Sequence, residues 1–250
     1  MSVYFSFQEI MEEIDAISRI ASSYISYKSS GVLSQFRTDL ESIRTSRSPD
    51  VNPWSISKQR PLVTNQSDGE YEPNNRRGNH IVFAEITSLW EIACVIPRNR
   101  KPPKYFSVEG IASTHVRLYE ATEDDSQTEL AVWKMELGSE GAPGCHFHIQ
   151  IVADNHQGLF PHTLSVPRLP SIILTPATVL EFVLAELFQE RWRKHAAHDT
   201  GEMQRWRSIQ KPRFEKLFKW HSDKINEATG SPWTFLKGQK PNVGELFVDD

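Results

Sequence analysis

Apolar residues recur along this chain with two different periods, and the switches between them mark its elements. From Ser6 the spacing is helical. Ile10, Ile14, Ile17, Ala21 and Tyr24 return every three or four residues and predict a helix over 6–28, with Ser6 and Glu9 in a capping-box arrangement. Ser29-Ser30-Gly31 ends it, and Leu33, Phe36, Leu40 and Ile43 predict a second helix over 32–47. Together they form an N-terminal helical hairpin over 1–47. From 48 to 79 the periodicity dissolves among prolines 49, 53, 61 and 73. A stretch this long reads as a polar linker, with Trp54, Ile56 and Leu62 as local anchors.

A main domain is expected over 80–228. Residues 90–96 read as a strand ended by Pro97, and the preceding IVFAEITSLW fits strand or helix. Further strands are predicted over 105–120, 130–137 and 145–152. They are joined by a solvated loop at 121–129 and a tight turn containing Gly138, Gly141, Pro143 and Gly144. Short polar connections between successive strands predict an antiparallel meander. In 145–152 the alternation puts Cys145, Phe147, Ile149 and Ile151 on one face and His146, His148 and Gln150 on the other.

Beyond Pro170, Thr175 caps a helix opened by Pro176 and carrying the stripe Leu180, Val183, Leu184, Leu187 and Phe188. Helical spacing resumes at Met203, Trp206 and Ile209, breaks before Pro212, and continues through Phe214, Leu217, Phe218 and Ile225. The remainder, 229–250, reads as a loop-like tail docked through Trp233, Phe235, Leu236 and Phe247. The pattern therefore predicts an α+β fold: an antiparallel β-meander of about four strands, with the helical hairpin before it and C-terminal helices packed on the sheet.

Composition sharpens this only in places. With 250 residues, 38% hydrophobic and 24% charged, the chain has the size of one large domain or a domain with appendages. No apolar run reaches the length of a membrane span, and the acidic start does not resemble a signal peptide, so a soluble cytoplasmic protein without a membrane partner is expected. Cys94 and Cys145 lie in apolar strand patterns and are expected to be buried thiols.

The net charge of −4 conceals an asymmetry. Between Arg191 and Lys224 ten Lys/Arg stand against four acids, so that segment is +6 and the rest is −10. Trp192, Trp206 and Trp220 are interleaved with these cations. Arg191, Arg193, Lys194, Arg205, Arg207, Lys211 and Arg213 thus form a candidate surface for nucleic acid or a protein partner. The competing reading is the charged back of core-packed helices. Arg168, between two prolines in SVPRLPSIILTP, is a further candidate anion contact.

Two imidazoles on one strand face can bind a divalent metal ion if a third ligand arrives, here His156, His162, Glu136 or Asp154. The HFH triplet resembles the HUH family of nucleic-acid nicking and joining enzymes. That resemblance implies a tyrosine nucleophile, commonly downstream, whereas the last tyrosine here is Tyr119. HFHIQ resembles the HxHxQ variant of histidine-triad nucleotidyl transferases, which implies an attacking role for His148. The order helix, meander, proline-rich crossing and helix is similar to the ubiquitin-conjugating and RWD-type scaffold. No cysteine follows Cys145, so that resemblance implies an inactive, binding version. Phosphate-loop, GxSxG, HExxH and CxxC signatures are absent.

Two functions remain in view. The first is a non-enzymatic binding or adaptor subunit, without cofactor, acting through the C-terminal helices. The second is a metal-dependent phosphodiesterase, nuclease or nucleotidyl transferase built on His146 and His148, with Gln150 beside them.

Overall fold

The computed structural model describes residues 3–67, 81–97, 102–121, 127–138, 145–152, 169–172 and 175–240. These form five helices and one antiparallel sheet of eight strands. The class is the α+β arrangement expected, and the sheet is larger than the four strands predicted. In chain order the elements are β1 (Tyr4–Ser6), α1 (Phe7–Ile20), α2 (Val32–Ser46), β2 (Asn52–Ile56), β3 (Leu62–Val63), β4 (Val82–Cys94), β5 (Tyr105–Ala121), β6 (Gln127–Leu137), β7 (Phe147–Val152), β8 (Leu169–Pro170), α3 (Pro176–Ala197), α4 (Gly201–Glu227) and α5 (Pro232–Gly238). The sheet runs β2-β4-β5-β6-β7-β8, with β1 added to β5 and β3 to β4.

The additional strands β1, β2, β3 and β8 are short, and β2 and β3 come from the stretch expected to be a linker. Trp54 of β2 lies opposite Trp90 of β4 and is fully buried. Its ring stacks on Phe36 of α2 with centroids 4.0 Å apart, and its Nε1–H donates to the Phe36 carbonyl at 2.8 Å. One tryptophan therefore ties the supposed linker to both sheet and helical hairpin, and all three share a single core. Helix α1 ends at Ile20, short of the predicted 28. Ser22 Oγ donates to the Arg19 carbonyl at 2.8 Å, which competes with helix continuation. The Ser26 N–H then donates to Val63 O and the Asn65 N–H to Tyr24 O, drawing 24–26 to β3.

Helix α1 lies between α2, α3 and α4, which explains why it is buried on more than one side. Its first N–H groups are capped as expected, with Ser6 Oγ accepting from the Glu9 N–H. Thr175 caps α3 in a reciprocal arrangement with Thr178. Inside α3 the backbone breaks at Gln189, where φ is 22°, and Ser67 Oγ donates to the Leu187 carbonyl at 2.6 Å beside the break.

Helix α4 continues through Pro212, where a break was predicted. Ser208, Lys211 and Pro212 are exposed, so the carbonyl that proline leaves unpaired can be hydrated. The buried stripe of α4 is Met203, Trp206, Gln210, Arg213, Leu217 and Trp220. Phe218 and Ile225, expected on it, are exposed instead. Two polar residues occupy the stripe because α1 presents a fully buried carboxylate there. Glu13 Oε1 accepts from Arg213 Nη1 at 2.8 Å, Gln210 Nε2 at 2.6 Å and Thr175 Oγ1 at 2.7 Å.

Both cysteines are buried free thiols, and burial pushes both pKa values up. No helix among the described residues is long and apolar enough to cross a membrane.

Removing one partner of a buried ion pair strands the other in a poor solvent, at about 3–5 kcal/mol. Glu13→Ala or Arg213→Ala is expected to lose that much in urea unfolding. The double variant Glu13→Leu/Arg213→Met is expected to recover most of it. Additive losses in the double variant would show the two side chains to be uncoupled.

Candidate functional site: the open face of the sheet

Register alone brings the polar residues of four strands into rows. Leu89, Ser113, Glu136 and His148 pair successively across β4, β5, β6 and β7. Thr87, His115, Lys134 and Gln150 form the neighbouring row. These side chains alternate with Ala112, Thr114, Val116, Met135, Phe147 and Ile149, which point to the helices. The predicted alternation therefore holds from Phe147 to Ile151, with His148 and Gln150 sharing a face, although Ile151 on the apolar side is exposed. His146 and Cys145 precede the strand, and His146 lies in a bend.

Where the rows meet the end of β2, a groove of about 540 Å³ opens. Leu89, Ile111, Thr87, Ser113, His115 and Glu136 line it from the sheet, and Ser55, Ser57 and Lys58 form its rim. The register of β4 with β5 shifts at a bulge between Trp90 and Ile92. Glu91 Oε2 accepts from the Ile111 N–H there at 2.8 Å, and a Cβ on Gly110 would come within 1.9 Å of the same oxygen. Glycine keeps that carboxylate on the backbone.

Behind the groove, Glu136 is the hub of a hydrogen-bonded cluster. Ser113 Oγ donates to Glu136 Oε1 at 3.1 Å, while Glu136 Oε2 faces His148 Nε2 at 3.3 Å and Gln150 Nε2 at 3.5 Å. His148 Nδ1 donates to the Cys145 carbonyl at 3.0 Å, which fixes a proton on that nitrogen. A neutral ring then accepts from the Gln150 amide, 3.3 Å away, and a protonated ring donates to Glu136. The His148 hydrogen bond, joined by that of Ser113, holds the Glu136 carboxyl below its usual range against the opposing effect of burial. The order is serine, carboxylate, histidine. An activated hydroxyl needs the imidazole in the middle, so Ser113 is positioned by this cluster and not deprotonated by it.

His146 is different. It is 8% exposed, and among the described residues neither ring nitrogen makes a well-formed hydrogen bond. Burial, with the nearby Lys240 charge adding to it, pushes its pKa down to about 4. Among the described residues no three His, Cys, Asp or Glu side chains come together in a way that could hold a metal ion. Of the proposed third ligands, Glu136 reaches His148. Asp154, His156 and His162 lie outside the described residues, as does Arg168.

The C-terminal cations are not a free patch. Arg193 and Lys194 face Glu190, Arg205 faces Glu12 of α1, Arg207 faces Asp199 and Lys211 faces Glu215. Arg191 lies over the Tyr24 ring at 4.9 Å. Arg213 is not on the surface at all, because its guanidinium is consumed by the buried Glu13 carboxylate. Trp192, Trp206 and Trp220 are buried in the core and unavailable for base stacking. Sequence reading missed the groove because Thr87, Leu89, Ile111 and His115 are scattered across two strands. Only a correct register unites them.

Two pH responses follow. Because His146 is held at about 4 against an ordinary value near 6.5, the unfolded chain takes up its proton first as pH falls. Stability is therefore expected to decline between those two values by on the order of 3 kcal/mol. His146→Phe should flatten the pH dependence of urea unfolding in that window, and an unchanged slope would assign it elsewhere. Glu136 responds in the same direction: its contribution is held at neutral pH and lost as pH falls through its lowered folded pKa. Carbon-13 titration of its carboxyl should show a midpoint below that of an ordinary glutamate, moving up in His148→Ala.

Comparisons with protein-family models, with curated proteins and with solved structures returned no match.

Proposed function

We propose that this chain is a non-enzymatic binding protein whose ligand occupies the groove on the open face of the sheet. The observation that carries the reading is the groove itself. Exposed Leu89 and Ile111 lie beside convergent hydroxyl, imidazole, ammonium and carboxylate groups over a rigid sheet. That combination of apolar wall and few polar groups is what small-ligand sites use. The reading is non-enzymatic because the polar cluster at its back spends its hydrogen bonds on itself. Ser113 is committed to Glu136, and His148 is 3% exposed with both nitrogens engaged.

A nucleic-acid or protein partner on the C-terminal helices has less support. Cations already facing carboxylates release fewer counterions on meeting a polyanion than free ones do.

The test uses N-phenyl-1-naphthylamine, a neutral apolar dye that fluoresces on leaving water. The wild-type protein should bind it saturably. Thr87→Trp, which fills the groove from its floor, should abolish binding without lowering thermal stability by more than a few degrees. Equal dye binding by wild type and the filled variant would reject the site.

A further inference from the structure

The cations of α3 and α4 named above each meet a carboxylate or an aromatic ring. Lys58 and Lys134, like Arg19, Lys28, Lys104 and Lys237, have no such partner among the described residues, and these two flank His115. Lys58 stands on the groove rim, His115 lines its floor, and Lys134 is the cross-strand partner of His115. Ser55, Ser57 and Thr87 add three hydroxyls around them. On the far side, Leu89 and Ile111 provide an apolar wall, with Ile111 52% exposed.

The carboxylate in this groove offsets that positive end only in part: at His115 it opposes Lys134 and outweighs Lys58 taken alone. Glu136 lies in the other cross-strand row, and its oxygens are engaged by Ser113, His148 and Gln150. The electrostatic consequence is visible at His115. Burial lowers its pKa, and the charges of Lys134, Lys58 and Arg117 lower it further, with Glu136 opposing them. Two lysines, an imidazole and several hydroxyls at one end of the groove offer an anion a set of hydrogen-bond donors.

We infer that the ligand of the groove is a small amphipathic anion, with its carboxylate or phosphate between Lys58, His115 and Lys134 and its apolar body over Leu89 and Ile111. This inference rests on the groove being the binding site and adds the chemical class of its occupant. It also assigns the two lysines a role in specificity that their exposure alone would not suggest.

Competition against bound N-phenyl-1-naphthylamine separates the two readings. Octanoate, octyl phosphate and octanol share an apolar chain and differ in the head group. At least one of the two anions should displace the dye at about one-tenth the concentration that octanol needs at low salt, with the gap closing as ionic strength rises. The more potent of the two identifies the head group as carboxylate or phosphate. Lys58→Ala/Lys134→Ala should bring that anion to the level of octanol, read as the ratio of the two displacing concentrations within the variant. Equal displacement by all three compounds, or an anion advantage that survives the double variant, would overturn the charge assignment and leave the groove standing. Failure of the dye to bind the wild-type protein would remove the groove and the inference together.

Discussion

A single carboxylate in a dry place organises the helical half of this protein. Glu13 is fully buried and accepts hydrogen bonds from the cap residue of α3 and from two residues of α4. An ion there is costly unless its partners arrive in good geometry, and those partners lie more than 160 residues away in sequence. The pair therefore specifies how three helices meet in a way that apolar contact alone would leave loose. It also accounts for much of the charge asymmetry. Acidic α1 lies against basic α4, with Glu12 on Arg205 and Glu9 beside Arg213 outside the buried core of the arrangement.

The sheet repeats the device under wetter conditions. Glu136 is again a carboxylate satisfied by neighbours from different strands, but it borders a groove and is only part-buried. The contrast separates a structural ion from one able to shape a site. Glu13 has no route to solvent, whereas Glu136 stands at the boundary between a fixed network and space that a ligand can enter. His148 and Gln150 form the back of that network, so the HxHxQ segment contributes by orienting its neighbour.

Elements with strong periodicity were legible from sequence. The caps at Ser6 and Thr175, the strands around 90, 110 and 133, and the alternation from Phe147 onward all follow from local chemistry, whereas His146 falls in a bend before the strand. What escaped was decided at a distance. Trp54 looked like a stray aromatic in a polar stretch until Trp90 and Phe36 supplied its surroundings. Gln210 and Arg213 disguised the phase of α4 because a polar residue counts against a buried stripe unless its partner is known. The candidate site behaves likewise. His148 and Gln150 could be placed on one face from spacing, but Ser113 and Glu136 join them only through the register of β5 with β6 and β6 with β7.

The two thiols show one last consequence of this topology. Cys94 ends β4 and Cys145 precedes β7, so β5 and β6 intervene between their strands. Three strand spacings are about 14 Å, roughly twice the Cα separation a disulfide can span. Burial also keeps both sulfurs protonated and slow to react with oxidants or alkylating agents. A bridge between these two thiols in the native state would thus require the sheet itself to come apart.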